Sequence, residues 1–190
     1  MTFVAQFGFG DSRDIVGRLP GDVLLVFAPD EFALMEPERL MLLWSKASRR
    51  LIAAEDSPVP GWRLGPVFGV RHRTCDVSGA FPFMSGVEHA LRKLMPECRF
   101  ASTWRIPVMQ ATKIGGLPYD AQTNEPTPPP GHRFLCQLSS VGPGRRSWSR
   151  VNRRRPRRGG SDDCLMIGDA GSISFWIDRK GRVRADASSS

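Results

Sequence analysis

The sequence predicts an α+β fold: a single domain rich in antiparallel β-strands, with one or two short helices. Three observations predict it. Gly and Pro together make 35 of the 190 residues, against a usual share of roughly 12%, and that excess favours short strands and many turns. The apolar runs are short and bounded by Gly, Pro or Asp. The clearest of them alternates, with Ile173, Phe175 and Ile177 on one face, the pattern of a strand with one side buried. A chain of 190 residues is one domain by the usual size rule, able to bury roughly 70% of its unfolded surface.

Taken in order, Phe3–Phe7 is a short apolar strand, ended by Gly8, Gly10, Asp11 and Ser12. Leu19-Pro20-Gly21 makes a turn into a second strand, Asp22–Ala28. Its consecutive apolar residues Val23 to Phe27 predict burial on both faces. Leu40, Leu43, Trp44, Ala47, Leu51 and Ala54 recur at helical spacing behind Pro37, so periodicity alone favours a helix there. A strand over Arg39–Trp44 is the alternative. Pro66–Arg73 reads as a further strand. Ser85-Gly86-Val87-Glu88 has the form of a capping box; it opens a helix with Val87, Leu91, Leu94 and Met95 on one side and Pro96 as its stop. Phe100–Met109 is extended, with Pro107 marking an edge or a bend. The proline-rich stretch from Pro126 to Gly131 is a stiff connector leading into Phe134. Cys164–Ile177 is expected to be the central hairpin, two apolar runs flanking Gly168-Asp169-Ala170-Gly171. The chain stops soon after this last strand, with Ala185-Asp186-Ala187-Ser188-Ser189-Ser190.

One internal echo bears on architecture. Phe3-Val4-Ala5-Gln6-Phe7 resembles Phe134-Leu135-Cys136-Gln137-Leu138, and each is followed by a glycine-led strand, Gly21–Phe27 and Gly171–Ile177 respectively. A duplicated strand-loop-strand unit and a chance likeness of two apolar strands both account for it.

The net charge of +8 belongs to one segment. Residues 142–160 hold eight arginines and no acid, and without them 19 basic residues face 19 acidic ones. A nucleic-acid-binding fold spreads its basic residues over a structured face. The segment itself has the chemistry for that role. Arg145, Arg146, Arg150, Arg153, Arg154, Arg155, Arg157 and Arg158 suit a phosphate backbone, and Trp148 suits stacking on a base. The alternative is a flexible, solvated loop that cannot bury enough apolar area to order itself.

Cys75, Cys98, Cys136 and Cys164 form no Cys-x-x-Cys pair, so reduced thiols are expected. His72, Cys75, His89 and Cys98 lack the tight spacing of zinc ligands, and no metal is predicted. No run approaches the ~18 apolar residues of a membrane span, and no basic residue precedes an apolar core at the N-terminus. A cytoplasmic location without a membrane partner is therefore expected. There is no Gly-x-Ser-x-Gly, His-Glu-x-x-His or Gly-x-Gly-x-x-Gly pattern. His72, His89 and His132 are isolated. These absences lean away from an enzyme, and no cofactor is predicted.

Lys113-Ile114-Gly115-Gly116-Leu117-Pro118, then Gln122, then Phe134–Leu138, then Gly168-Asp169-Ala170-Gly171 form an ordered set of motifs. In these, and over most of its length, the chain resembles the YwqG-like family, a bacterial domain family of unknown function. Ile167 departs from the aromatic residue usual before the Gly-Asp turn, and the arginine segment looks foreign to the family. The resemblance implies an α+β domain rich in antiparallel strands, with no settled activity. It also favours strand over helix for Arg39–Trp44.

The residues expected to bind a ligand or partner are Lys113, Gly115, Gly116, Gln122, Gln137 and Asp169. Gly115, Gly116 and Pro118 suit a tight turn whose amides can meet an anion, or one that simply joins two strands. Lys113 lacks the frame of a phosphate-gripping lysine. Gln6 and Gln137 lie inside apolar strands, where a buried amide must be hydrogen-bonded. Asp169 is expected to cap its own turn. The first functional expectation is a non-enzymatic module that binds another protein. The alternatives are nucleic-acid binding through the arginine segment, and an enzyme or small-ligand binder using Gln122, Gln137 and Asp169 behind the Gly-Gly turn.

Overall fold

The computed structural model describes residues 1–47, 111–119, 127–140, 165–169 and 171–189. Among them, seven strands form two antiparallel sheets. The first sheet has the order β1 (Thr2–Gly8), β2 (Val23–Ala28), β3 (Met41–Ser45). The second has the order β4 (Lys113–Ile114), β5 (His132–Ser139), β6 (Ser172–Asp178), β7 (Val183–Ser188). Among the described residues the helical part is one short α-helix, α1 (Arg13–Val16), and three single-turn 3-10 helices, and the fold is α+β and dominated by antiparallel strands. No helix among the described residues is long and apolar enough to cross a membrane.

The two sheets share one core, in which Phe7, Phe9, Leu24 and Val26 meet Leu135, Ile173, Phe175 and Ile177. Phe7 stands edge-on to Phe175, ring centroids 5.7 Å apart. Polar ties join the sheets at the rim. Arg133 Nη2 donates to the Val16 carbonyl at 2.6 Å, and Trp44 Nε1 donates to the Gly181 carbonyl at 3.0 Å.

The echo in the sequence is a shared backbone register. Phe3 pairs with Phe27 and Ala5 with Val26, leaving Val4 as the extra residue of a bulge. Phe134 pairs with Trp176 and Cys136 with Phe175, leaving Leu135 in the same place. A bulge turns two successive side chains the same way, and here Val4 with Ala5, and Leu135 with Cys136, all pack on the core. The third strands follow suit: Leu25 pairs with Leu43, and Ser174 with Asp186. Even the closing bonds match, Phe9 N–H to Asp22 O at 2.8 Å and Ser140 N–H to Gly171 O at 2.9 Å. The correspondence therefore joins Asp22–Phe27 to Gly171–Trp176, one residue away from the alignment the glycines suggest.

Several expectations change. Cys164–Ile177 is not a hairpin: β6 has β5 on one side and β7 on the other. The Gly168–Gly171 turn is closed instead by a bond from Gly171 N–H to the Ile167 carbonyl at 2.7 Å. The hairpin partner of β6 is β7, a mostly polar strand with no apolar run to announce it. Asp178 holds that turn, accepting from the Lys180 and Arg182 amides at 2.8 and 2.9 Å. Met41–Ser45 is a strand, against the helical spacing but as the resemblance favoured for Arg39–Trp44. β2 is not buried on both faces: Leu24, Val26 and Ala28 are fully buried while Val23, Leu25 and Phe27 are only half-covered. Gln6 is exposed, since the bulge turns it outward. The expected helix at 85–95, the strands at 66–73 and 100–109, and Cys75, Cys98, Cys164, His72 and His89 lie outside the described residues.

Candidate functional site

The Gly-Gly turn sits at the end of β4, where Lys113 pairs with Gln137 and Ile114 with Cys136. Gly115 and Gly116 have φ of +67° and +77°, a region where a Cβ is strained. At Gly115 a Cβ would also lie 2.2 Å from Ile15 Cγ2. The Gly115 N–H donates to Leu135 O at 2.9 Å. The chain then reaches Tyr119, whose N–H donates to Gln137 Oε1 at 2.7 Å and whose carbonyl accepts from Ser172 Oγ at 3.1 Å.

Gln137 is fully buried, and its amide is spent on this arrangement. Nε2 donates to Ser139 Oγ at 3.0 Å and points to Ala111 O at 3.4 Å. Each such group would cost about 1–3 kcal/mol if left unpaired, so Gln137 acts as a tie between strand and loop. Asp169 is exposed on the turn that precedes β6. Lys113, Gly115, Gly116 and Gln137 are thus brought together along β4 and β5, with Asp169 on a separate turn. Gln122, Trp148 and the arginines from Arg145 to Arg158 lie outside the described residues.

The outer face of the second sheet is built from Phe134, Gln137 and Ser139, then Ser172, Ser174 and Trp176, then Arg184, Asp186 and Ser188. Its centre is closed: Gln137, Ser139, Ser172, Ser174 and Trp176 are at most 5% exposed. Trp176 Nε1 is buried with no hydrogen-bond partner among the described residues. On the inner face, burial pushes the Cys136 thiol well above its ordinary pKa, which keeps it protonated and a poor nucleophile. Among the described residues no three His, Cys, Asp or Glu side chains gather as a metal site requires.

The equivalent face of the first sheet has the opposite character. Its outward side chains are Phe3 and Gln6 on β1, Val23, Leu25 and Phe27 on β2, and Met41, Leu43 and Ser45 on β3. None is charged. Phe3 is 39% and Leu43 45% exposed, with Leu25, Phe27 and Met41 half-exposed beside them. Phe3 and Phe27 make an edge-on pair at 5.8 Å, the counterpart of Phe134 and Trp176 at 5.6 Å. The reading of the sequence missed this face. An unbroken apolar run in β2 does not say which alternate positions find cover.

No protein-family model matches the chain, and no curated protein or solved structure does either.

Proposed function

We propose that this chain is a non-enzymatic protein-binding module of the YwqG-like kind, and that it binds its partner through the outer face of β1–β2–β3. The observation that carries this reading is an uncharged, apolar face spanning three strands and left partly open to water. Covering contiguous apolar side chains on one face removes apolar surface from water, and that is what a protein partner would gain there. The spent hydrogen bonds of Gln137 and the protonated Cys136 support a binding role over a reactive one. The motif order from Lys113 to Gly171 supports the family assignment.

A photo-crosslinking side chain placed at position 43 tests the reading. It should trap a protein, with the adduct competed away by unlabelled chain and lost on Leu25→Lys. The same probe at Arg184, exposed on the outer face of the second sheet, should trap none. Absence of any competed protein adduct at position 43 defeats the proposal.

A further inference from the structure

We propose that the partner on this face is a second copy of the same chain, an inference that rests on reading the face as a protein-binding one. Three features of the face point to self-association. It carries no charge, so two copies meet without burying an unpaired ion, a loss that charged faces incur. It is also graded in size. At one end lie Phe3, Phe27 and Met41; at the other lie Gly8, Val23 and Ser45, which occupy the paired outward positions.

A two-fold axis running across the strands superposes the bulky end of one copy on the slight end of the other. Large side chains then fill the space above small ones, as well-packed layers require. In that arrangement Leu25 and Leu43, midway along β2 and β3, meet their own symmetry mates, as in an isologous interface. The third feature is the chain's own core, where Phe7 and Phe175 already join two such sheets face to face. Sheets packed this way lie about 10 Å apart with strands within about 30°.

The size of the platform sets the strength. Three strands at about 4.8 Å spacing and a handful of residues at about 3.4 Å each give a footprint of roughly 250 Å². That is well under the ~800 Å² per partner of a standard stable interface. The dimer is therefore weak and reversible, populated only at high protein concentration. Because each chain carries a net charge of +8, added salt relieves repulsion between copies and strengthens it. Nucleic-acid binding responds in the opposite sense.

Light scattering on the full chain, over a concentration series and at two salt concentrations, tests the proposal. The wild-type mass should rise from one chain towards two, and rise earlier at higher salt. Leu43→Lys and Leu43→Glu should each remain one chain, since each places two like charges side by side at the axis. An equimolar mixture of the two should recover the dimer. Leu43 lies on an edge strand and is 45% exposed, so these variants keep the fold; if circular dichroism shows otherwise, Phe3→Lys and Phe3→Glu replace them, each expected to remain one chain.

A wild-type chain that stays single throughout overturns the second-copy proposal. So does a dimer indifferent to the charged variants, or a mixture that fails to associate in the Leu43 pair. The crosslinking experiment separates this failure from that of the functional reading. A competed adduct to a different protein at position 43 keeps the face and removes the second copy, whereas no adduct removes both.

Discussion

β1–β2–β3 and β5–β6–β7 follow the same path, with a bulge at the same residue, an edge-on aromatic pair at the same place and the same closing hydrogen bond. Their inner faces do the same work in one core. Their outer faces differ. Gln6, Leu25 and Leu43 on the first sheet stand where Gln137, Ser174 and Asp186 stand on the second. The apolar face is partly open across its middle, and the polar face is closed at its centre. The backbone therefore does not decide what an outer face does. The decision lies with which side chains the shared register turns outward, and with what covers them.

The largest test of that contrast is the pair of equivalent glutamines. Gln137→Leu strands the Tyr119 amide and the Ser139 hydroxyl in a buried place, and should cost about 3 kcal/mol. Gln6→Leu, on the open face, should change stability by no more than about 0.5 kcal/mol. Urea denaturation, read from the midpoint at unchanged slope, checks both. Equal losses at the two positions would mean that the faces are not differently covered.

A smaller effect is expected at the aromatic pair. Trp176→Phe keeps the edge-on contact with Phe134 and removes an indole N–H that has no partner among the described residues. The lost packing and the relieved polar group oppose one another, so the net change should stay within about 1 kcal/mol. A loss comparable to that of Gln137→Leu would show that the indole N–H is bonded in solution.

The smallest effect separates the two connections to the third strands. β2 and β3 are joined through a longer segment in which Arg39 pairs with Asp30 and Glu36. β6 and β7 are joined by the turn that Asp178 holds. Desolvation raises the Asp178 pKa, but hydrogen bonds from the Arg182 amide, the Arg182 guanidinium and the Lys180 amide together hold it below the ordinary 3.8. A carboxylate depressed in the folded state stabilises fully above its unfolded pKa, and that contribution fades as pH falls through the lower folded value. Asp178→Asn should therefore weaken the protein slightly at neutral pH and flatten the loss of stability below about pH 4. Thermal melts of the two proteins across pH 2 to 7 are the check, and parallel curves would remove Asp178 from the acid response.

Much of the fold was legible along the chain, and the reasons can be read residue by residue. Phe3–Phe7 and Phe134–Leu138 looked alike because each encodes the same bulge: two core-facing residues in succession, then an outward glutamine. β7 was not legible, because Arg184, Asp186 and Ser188 face outward and only small Ala185 and Ala187 and partly buried Val183 face the core. Met41–Ser45 misled through its spacing. A strand buried on one side and half-covered on the other offers apolar residues at helical intervals as readily as a helix does. Of the candidate site, Gln137 and the Gly-Gly turn were found by their chemistry, whereas the open face of the first sheet offered no chemistry to find.

The sequence by itself determined the class of fold, the two apolar strands that echo one another, the turn at Gly115 and Gly116, and the confinement of surplus charge to residues 142–160. These follow from local matters: which residues tolerate a positive φ, where alternation breaks, and where arginines cluster. Only the tertiary structure decided that Gln137 is buried and Gln6 exposed, that β6 pairs with β7 rather than with the stretch before Gly168, and that the apolar outer face lies open. Those outcomes depend on what packs above a strand, and a strand carries no record of its cover in its own alternation.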